Sequence, residues 1–578
     1  MSSLKQFRTI LRYLKPFWRQ QAVIYVLTLV TVALGLISPY LTKLVIDTAF
    51  PQRNMRLFLV LLLLGGALFI ANGIVNGYMQ YLNQSIRLRL TLRLSKNLFK
   101  KLQRVPYQYF QDASSGAHVY RLTYDIEQVV ASFSSVVSDS VLLVVRFICI
   151  AVIIVLLDWR FAVVMAVVAP VLYCIPLYFT RKLKKIKEEL IEHLQEAFQA
   201  SFEILSHMQL VKMLGKERQA IFSYMQRLVR YIRLNVRYNK VELMSSYGNS
   251  FTGRLAMGVV VLCGGFWIMR GQLTLGTFTA LMIYLAQVSG IFDGIMQLFQ
   301  RVSFGMISWG RLQHVFEIRN SPMEDASAQP IRFSSGLIEF RAVSFGYLSH
   351  VKVISNFSAS IPGGSCVAIA GPSGCGKTTL INLLMRLYRP ETGGIYIDGY
   401  EHARITADAL YGQIGVVLQE PFLWNDTITY NITYGKPAAT AEEVRQAARV
   451  ACADEFIGAL ENGFLTVIGE NACKISEGQK QRISIARAII NHPKILICDE
   501  AFSSVDAQLE GAILENIRNF LPSSTIIVIS HRLSTIMRAD EVYFLVGGGD
   551  VIRGTHQELL GASQQYRKYL ALNGNESG

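Results

Sequence analysis

Residues 366–385 read CVAIAGPSGCGKTTLINLLM. Five small or branched apolar residues run into a glycine-rich turn, and apolar residues at helical spacing follow, which predicts a buried strand, a tight loop and a helix. Gly371, Gly376, Lys377 and Thr378 satisfy G-x-x-x-x-G-K-[ST] in that setting. Gly371, Pro372, Ser373, Gly374, Cys375, Gly376, Lys377, Thr378 and Thr379 are therefore read as a cradle for the phosphates of ATP. Backbone N–H groups converge on phosphate oxygens, Lys377 neutralises the β and γ phosphates, and the Thr378 hydroxyl is a ligand for Mg²⁺. Downstream, residues 494–500 read KILICDE. Four apolar residues before Asp499 and Glu500 suit a buried strand that ends in carboxylates beside the phosphates. Asp499 is expected to hold Mg²⁺ through water and Glu500 to polarise the attacking water. From about Gly336 onward, short β-branched runs alternate with glycine turns and amphipathic helices, the pattern of an α/β domain.

The rest of the 578 residues has a different composition. The first 330 residues carry 36 Lys and Arg against 17 Asp and Glu, and the remainder 21 against 24, so the whole excess of +16 belongs to the first part. Its cations are interleaved with long apolar stretches, which points to anionic lipid surfaces and excludes nucleic acid as a partner. Six stretches, near 21–46, 57–82, 132–157, 161–180, 246–270 and 275–300, are apolar enough to cross a bilayer core of about 30 Å. Short and long connections alternate, and the long ones hold Arg87, Arg89, Arg93, Lys96, Arg181, Lys182 and Lys184. The positive-inside rule makes the long connections and both termini cytoplasmic. Residues 190–213 and 220–237 keep apolar residues at helical spacing with few glycines or prolines, so the membrane helices are expected to continue into the cytosol as long paired rods. Residues 1–20 are basic and aromatic, with Phe7, Ile10, Leu11, Leu14 and Trp18 spaced for an interfacial helix.

Polar groups inside the spans are costly in lipid and should face the bundle interior or a wet cavity. They include Asn72, Asn76, Asp139, Arg146, Arg254, Asp293 and Gln297. Contact with a transported substrate and helix-to-helix ties are both open for them, as is pairing of Arg146 and Arg254 with an Asp. The eight cysteines, Cys149, Cys174, Cys263, Cys366, Cys375, Cys452, Cys473 and Cys498, form no CxxC pair and no metal-ligand spacing, and read as reduced, mostly buried residues. Cys375, close to a helix N-terminus, is expected to have a lowered pKa and to be open to alkylation.

With these motifs in place, the second part resembles an ABC-transporter ATPase, and nearly the whole chain resembles the six-span exporter half-transporter of that superfamily. The resemblance implies that Tyr347, in VSFGY, stacks on adenine. Gln419, in VVLQEPFLW, stands at the Q-loop position and senses Mg²⁺ and the γ-phosphate. The signature LSGGQ is matched by Ile475, Ser476, Glu477, Gly478 and Gln479, whose Ser and second Gly cap the γ-phosphate of ATP on a partner subunit. Glu477 stands where the family has glycine, and a carboxylate there is unfavourable unless it points away. Asp506, in SSVD, takes the D-loop position, and His531, in VISHRL, is the switch histidine. With Glu500 and His531 both present, the resemblance implies hydrolysis.

The expected fold is thus a multi-domain membrane protein. An interfacial segment 1–20 precedes an all-α six-helix transmembrane domain, 21–305, with long cytosolic extensions. A linker, 306–335, leads to an α/β P-loop ABC ATPase domain, 336–578. One P-loop and one signature per chain imply a dimer, of this chain with itself or with a second half-transporter. Turns around 111–120 and 206–216 are expected to dock on the ATPase domains. The implied activity is ATP-driven export of an amphipathic drug, lipid or peptide by alternating access. An ATP-gated channel or membrane regulator on the same fold is the alternative, and an importer is disfavoured. The absence of a targeting segment fits a bacterial inner membrane.

Overall fold

The computed structural model describes residues 13, 15–112, 115–318, 327–348, 351–469 and 474–573. Contacts divide the chain into two compact units, residues 1–105 with 109–320, and 106–108 with 321–578. Within 1–20, Phe7, Ile10, Leu11 and Leu14 lie outside the described residues.

The first unit is helical. Its long helices are α1 (Trp18–Leu44), α2 (Met55–Leu102), α3 (Ile126–Leu157), α4 (Trp159–Ser206), α5 (Glu217–Met269) and α6 (Leu275–Glu317). Polar residues start three of them by accepting otherwise unpaired N–H groups: Asn54 from Leu57 at 3.1 Å, Asp158 from Arg160 at 3.0 Å and Thr274 from Thr277 at 3.2 Å. Asp47, just past α1, accepts from the Gly276 N–H at 2.9 Å and the Thr274 hydroxyl at 2.7 Å, which ties the ends of α1 and α6 together.

Among the described residues, five helical segments are long and apolar enough to cross a membrane. The remaining stretch, 161–180, lies within the 48-residue α4. The most apolar part of α2 buries none of its side chains, and Leu63 and Phe69 stand free of protein, as residues facing lipid do. The extensions pack on each other away from that surface. Leu90, Leu94 and Leu98 of α2 meet Val129 and Phe133 of α3 and Trp309 and Leu312 of α6. Leu183, Ile186 and Leu190 of α4 meet Tyr238 and Val241 of α5. Helix α1 begins at Trp18, and α6 runs without a break to Glu317, through the start of the stretch expected as a linker, 306–335.

A buried ion pair crosses the extensions. Asp125, fully buried, accepts two hydrogen bonds from the Arg311 guanidinium, that from Nε at 3.0 Å, and the Ser308 hydroxyl lies 3.3 Å from the same guanidinium.

The second unit holds two sheets. The antiparallel one has the order β2-β1-β4-β5, from β1 (Ile338–Phe345), β2 (Ile354–Ile361), β4 (Thr392–Ile397) and β5 (Tyr400–Glu401). The larger has the order β10-β9-β3-β8-β7-β6, from β3 (Cys366–Ala370), β6 (Ile414–Val417), β7 (Ile495–Asp499), β8 (Thr525–Ile529), β9 (Glu541–Gly547) and β10 (Asp550–Gly554). Its strands are parallel except for the edge strand β10.

Alternation along the central strands sorts their side chains onto two faces. Ile495, Ile497, Ile527 and Ile529 join a core with α7 (Lys377–Leu384) and the antiparallel sheet. Leu496, Cys498, Ile526 and Val528 join a second core with α8 (Glu477–Ile489) and α9 (Ala507–Phe520). At the other end of that second face, Ala368, Ala370, Val542 and Phe544 hold α10 (Gln564–Asn573) through Tyr566 and Tyr569.

Candidate functional site

The loop between β3 and α7 turns through left-handed backbone at Gly374 and Gly376, where φ is +80° and +104°. A Cβ at Gly371 would come within 2.5 Å of the Leu545 carbonyl oxygen and 2.9 Å of Cys375 Sγ, so only glycine fits there. Lys377 starts α7 with its side chain folded back over the loop. Its ammonium donates to the carbonyls of Gly371 at 2.7 Å and Pro372 at 2.9 Å. Ser373, Gly374 and Thr378 are exposed, whereas Cys375 and Thr379 are buried.

Tyr347 is exposed, with its ring edge-on to Phe345 and Tyr388 at 5.1 and 5.2 Å. Its hydroxyl lies 3.2 Å from Thr379 Oγ1 and 3.4 Å from Asn382 Nδ2.

Parallel strands end on one edge, and that edge collects the carboxylates. Asp499 closes β7 and Glu500 follows in left-handed backbone, φ +48°, which a non-glycine residue adopts at a cost of about 1 kcal/mol or more. The turn aims the Glu500 side chain between two partners. Gln419, beyond β6, donates from Nε2 to one carboxylate oxygen at 2.7 Å, and His531, beyond β8, places Nε2 2.9 Å from the other. Residues 419, 500 and 531 thus meet in one hydrogen-bonded group.

Burial, joined by the charge of Glu500 and opposed by Lys377, pushes the Asp499 carboxyl up to about 6. The sign of its effect on stability follows. Between about pH 4 and 6 the folded chain binds a proton that the unfolded chain has lost, so stability falls as pH rises through that window, by on the order of 2 kcal/mol. Asp499→Asn is expected to remove this part of the slope. Thermal unfolding of wild type and variant at pH 5 and pH 7.5 checks it, and equal slopes would rule out Asp499 as the titrating group.

Cys375 departs from expectation. Burial raises its thiol above the ordinary range, and the charge of Lys377 only partly opposes this, so the helix N-terminus does not make it a low-pKa thiol. Cys366 and Cys498 are likewise buried, and Cys149, Cys263 and Cys452 are half-buried. The Cys174 side chain and Cys473 lie outside the described residues.

Ser476 caps α8: its hydroxyl accepts from the Gln479 N–H at 3.3 Å, and the Gln479 side chain accepts from the Ser476 N–H at 2.9 Å. Glu477, in the first turn, is exposed and pairs with Lys480 at 2.7 Å, so its carboxylate is neutralised along the helix surface. A Cβ at Gly478 would lie 2.6 Å from the Ser504 carbonyl oxygen, which makes glycine the residue that lets α8 approach the 503–506 turn.

Two residues that the motifs did not single out hold that turn. Gln481 donates to the Ser503 hydroxyl at 3.0 Å and accepts from the Ser504 N–H at 3.1 Å. Arg532 donates to the carbonyls of Ser503 and Val505, each at 2.7 Å, and to Glu510 at 2.8 Å. Asp506 is exposed just before α9. The P-loop helix and the signature helix thus pack on different cores of one sheet.

In the helical unit the polar residues separate into groups. Asn76 donates to Asn72 one turn earlier at 3.1 Å. Asp139 pairs with Arg301 at 3.4 Å, and both line a cavity of about 760 Å³ with Gln80, Gln84, Arg87 and Ser138. Arg146 donates to the side-chain amide oxygen of Gln287 at 3.2 Å. Asp293 accepts from Asn249, and both border two cavities. Arg254 lines the one of about 330 Å³, and Gln297 lines the other, of about 430 Å³.

Residues 22–292 match the family model described as the ABC transporter transmembrane region, and residues 354–503 match the one described as ABC transporter. The ATP-dependent lipid A-core flippase of Syntrophus aciditrophicus (strain SB) is 29% identical over 570 residues, 99% of this chain and 95% of the flippase. The fatty acid ABC transporter ATP-binding/permease protein of Mycobacterium tuberculosis (strain CDC 1551 / Oshkosh) is 31% identical over 523 residues, 89% of this chain and 80% of that protein. A solved structure of a bacterial Atm1-family ABC exporter with ATP bound superposes with a TM-score of 0.89 at 24% identity, covering 98% of this chain and 99% of that one, which shows a common fold.

Proposed function

The chain belongs to the ABC transporter family as an exporter-type half-transporter, a multi-pass membrane protein that hydrolyses ATP, and from that premise we propose that a dimer of it exports a lipid-like amphipathic substrate by alternating access. The observation that carries the hydrolytic part is the Gln419, Glu500 and His531 group at the strand ends.

In this reading the loop 371–376 and Lys377 hold the phosphates of ATP, and Tyr347 meets the base. Mg²⁺ would be held by the Thr378 hydroxyl, Asp499 and Gln419, where it would neutralise phosphate charge. The oxygen donors suit a hard cation, and the glycine cradle that a Cβ would fill suits phosphate. Glu500 orients and deprotonates the attacking water, while Gln419 and His531 hold its carboxylate in place. Ser476, Gly478, Gln479 and Asp506 of one subunit complete the site of the other, a reading supported by the single P-loop and single signature in each chain. Drawing the ATPase domains together favours one state of the membrane domain, and hydrolysis releases it.

The substrate class rests on two supports. The relatives named above act on lipid A-core and fatty acid by their names, and the cavities around Arg87, Asp139 and Arg301 and around Arg254 and Asp293 offer charged and amide groups beside apolar helix surface. The basic connections support, by the positive-inside rule, a reading with both termini in the cytoplasm and a bacterial inner membrane as the setting.

The test is transport in proteoliposomes with headgroup-labelled lipid, a labelled fatty acid, a cationic dye and a hydrophobic peptide. ATP-dependent movement of the lipid or the fatty acid, with stimulation of ATP turnover by that compound, is expected. Intact ATP turnover with movement only of the dye or the peptide would overturn the substrate class, and turnover without movement of any of them would overturn export.

A further inference from the structure

Both nitrogens of the His531 imidazole are engaged. Nε2 lies 2.9 Å from a Glu500 oxygen, and Nδ1 lies 2.9 Å from the hydroxyl of Tyr569. Tyr569 belongs to α10, at the end of the described chain, and no motif points to it. Its ring packs against Phe544 at 5.3 Å, within the cluster that also holds Ala368 and Ala370 of β3. Because β3 runs straight into the P-loop, this packing brings the phenol to the loop's first residue, and the Gly371 backbone hydrogen-bonds it.

These contacts set a direction. The Glu500 carboxylate only accepts, so a neutral imidazole bonded to both partners takes the phenol's hydrogen bond at Nδ1. A neutral imidazole that accepts at Nδ1 carries its proton on Nε2, which then donates to Glu500. Without the phenol, Nδ1 loses the hydroxyl it accepts from, and the ring is held through Nε2.

We infer that Tyr569 is a positioning residue for ATP hydrolysis, whose hydroxyl fixes the tautomer and ring orientation of His531 and ties them to the first glycine of the P-loop. The inference rests on the reading of Glu500 and His531 as the hydrolytic pair. It assigns the C-terminal helix a part in the ATP site beyond packing. The ring's contact with Phe544 survives in Tyr569→Phe, so that variant isolates the hydroxyl.

The test uses the full chain in lipid nanodiscs and compares wild type, Tyr569→Phe, Tyr569→Leu, His531→Ala and the double variant H531A/Y569F. Tyr569→Phe is expected to lower kcat about ten-fold, the scale of one hydrogen bond in a polar network, with KM for ATP unchanged. In the His531→Ala background the same change is expected to do nothing more. Thermal unfolding separates fold from chemistry, since Tyr569→Leu should lower the midpoint and Tyr569→Phe should not. A Tyr569→Phe turnover within two-fold of wild type, a further ten-fold loss in the double variant, or a midpoint lowered as in Tyr569→Leu would each overturn the proposal. Full turnover in His531→Ala would instead overturn the hydrolytic reading on which it rests.

Discussion

Glu500→Gln is expected to lower steady-state ATP turnover by about 100-fold or more, the range over which a positioned general base acts, while ATP binding is kept. The amide occupies the same volume, and its oxygen can still accept from one of the two donors, Gln419 Nε2 or His531 Nε2, so the strand-end fold is expected to be kept. What it loses is the ability to take a proton from water. The left-handed backbone at Glu500 makes the effect specific, because such strain is held at a site where a side chain must point in one direction. Phosphate release and binding of a labelled ATP analogue, measured on one preparation, separate the two steps. Turnover within three-fold of wild type would show that another group activates the water. Loss of binding together with turnover would show that the carboxylate holds the nucleotide site together.

Asp125→Ala carries the largest expected effect on stability, a loss of about 3 kcal/mol or more. The carboxylate is fully buried between the turn that precedes α3 and the C-terminal part of α6, and it accepts two hydrogen bonds from Arg311. Its removal leaves a partly buried guanidinium with the Ser308 hydroxyl as its remaining bonded neighbour here. The double variant D125A/R311L separates the causes. Replacing the pair by apolar groups removes the stranded charge, so it should recover most of the loss. Thermal unfolding midpoints in one detergent provide the measurement. A double variant as unstable as Asp125→Ala would show that packing space, not charge, is what the site requires.

The sequence by itself determined everything that local pattern encodes. Twenty-residue apolar runs mark membrane helices because lipid leaves no other way to satisfy the backbone. Strand-loop-glycine-helix order at 366–385 marks a phosphate cradle because the backbone amides themselves form the site. The positions of Gln419, Glu500 and His531 were legible from flanking strands and family resemblance. Parallel strands in one sheet then bring their C-terminal ends to one edge, and the three side chains are bonded to one another there.

The continuation of the helices beyond their apolar stretches was legible from helical spacing, but the end of α6 was not. The stretch 306–317 holds no proline and one glycine, Gly310, and α6 continues through it to Glu317. The direction of Glu477 is a local matter that the motif alone did not give, because a carboxylate in a first turn can reach a residue three positions on, and Lys480 takes it. The tertiary structure alone raised the Cys375 thiol, since burial by surrounding residues outweighs the nearby Lys377. It alone paired Arg146 with Gln287 and Asp139 with Arg301, across helices far apart in the chain. The same holds for Tyr569, whose ring seats on Phe544 and so reaches His531 38 positions earlier. Contacts of this kind depend on which faces of distant elements meet, and that is set by packing of the whole domain, not by any run of neighbours in the chain.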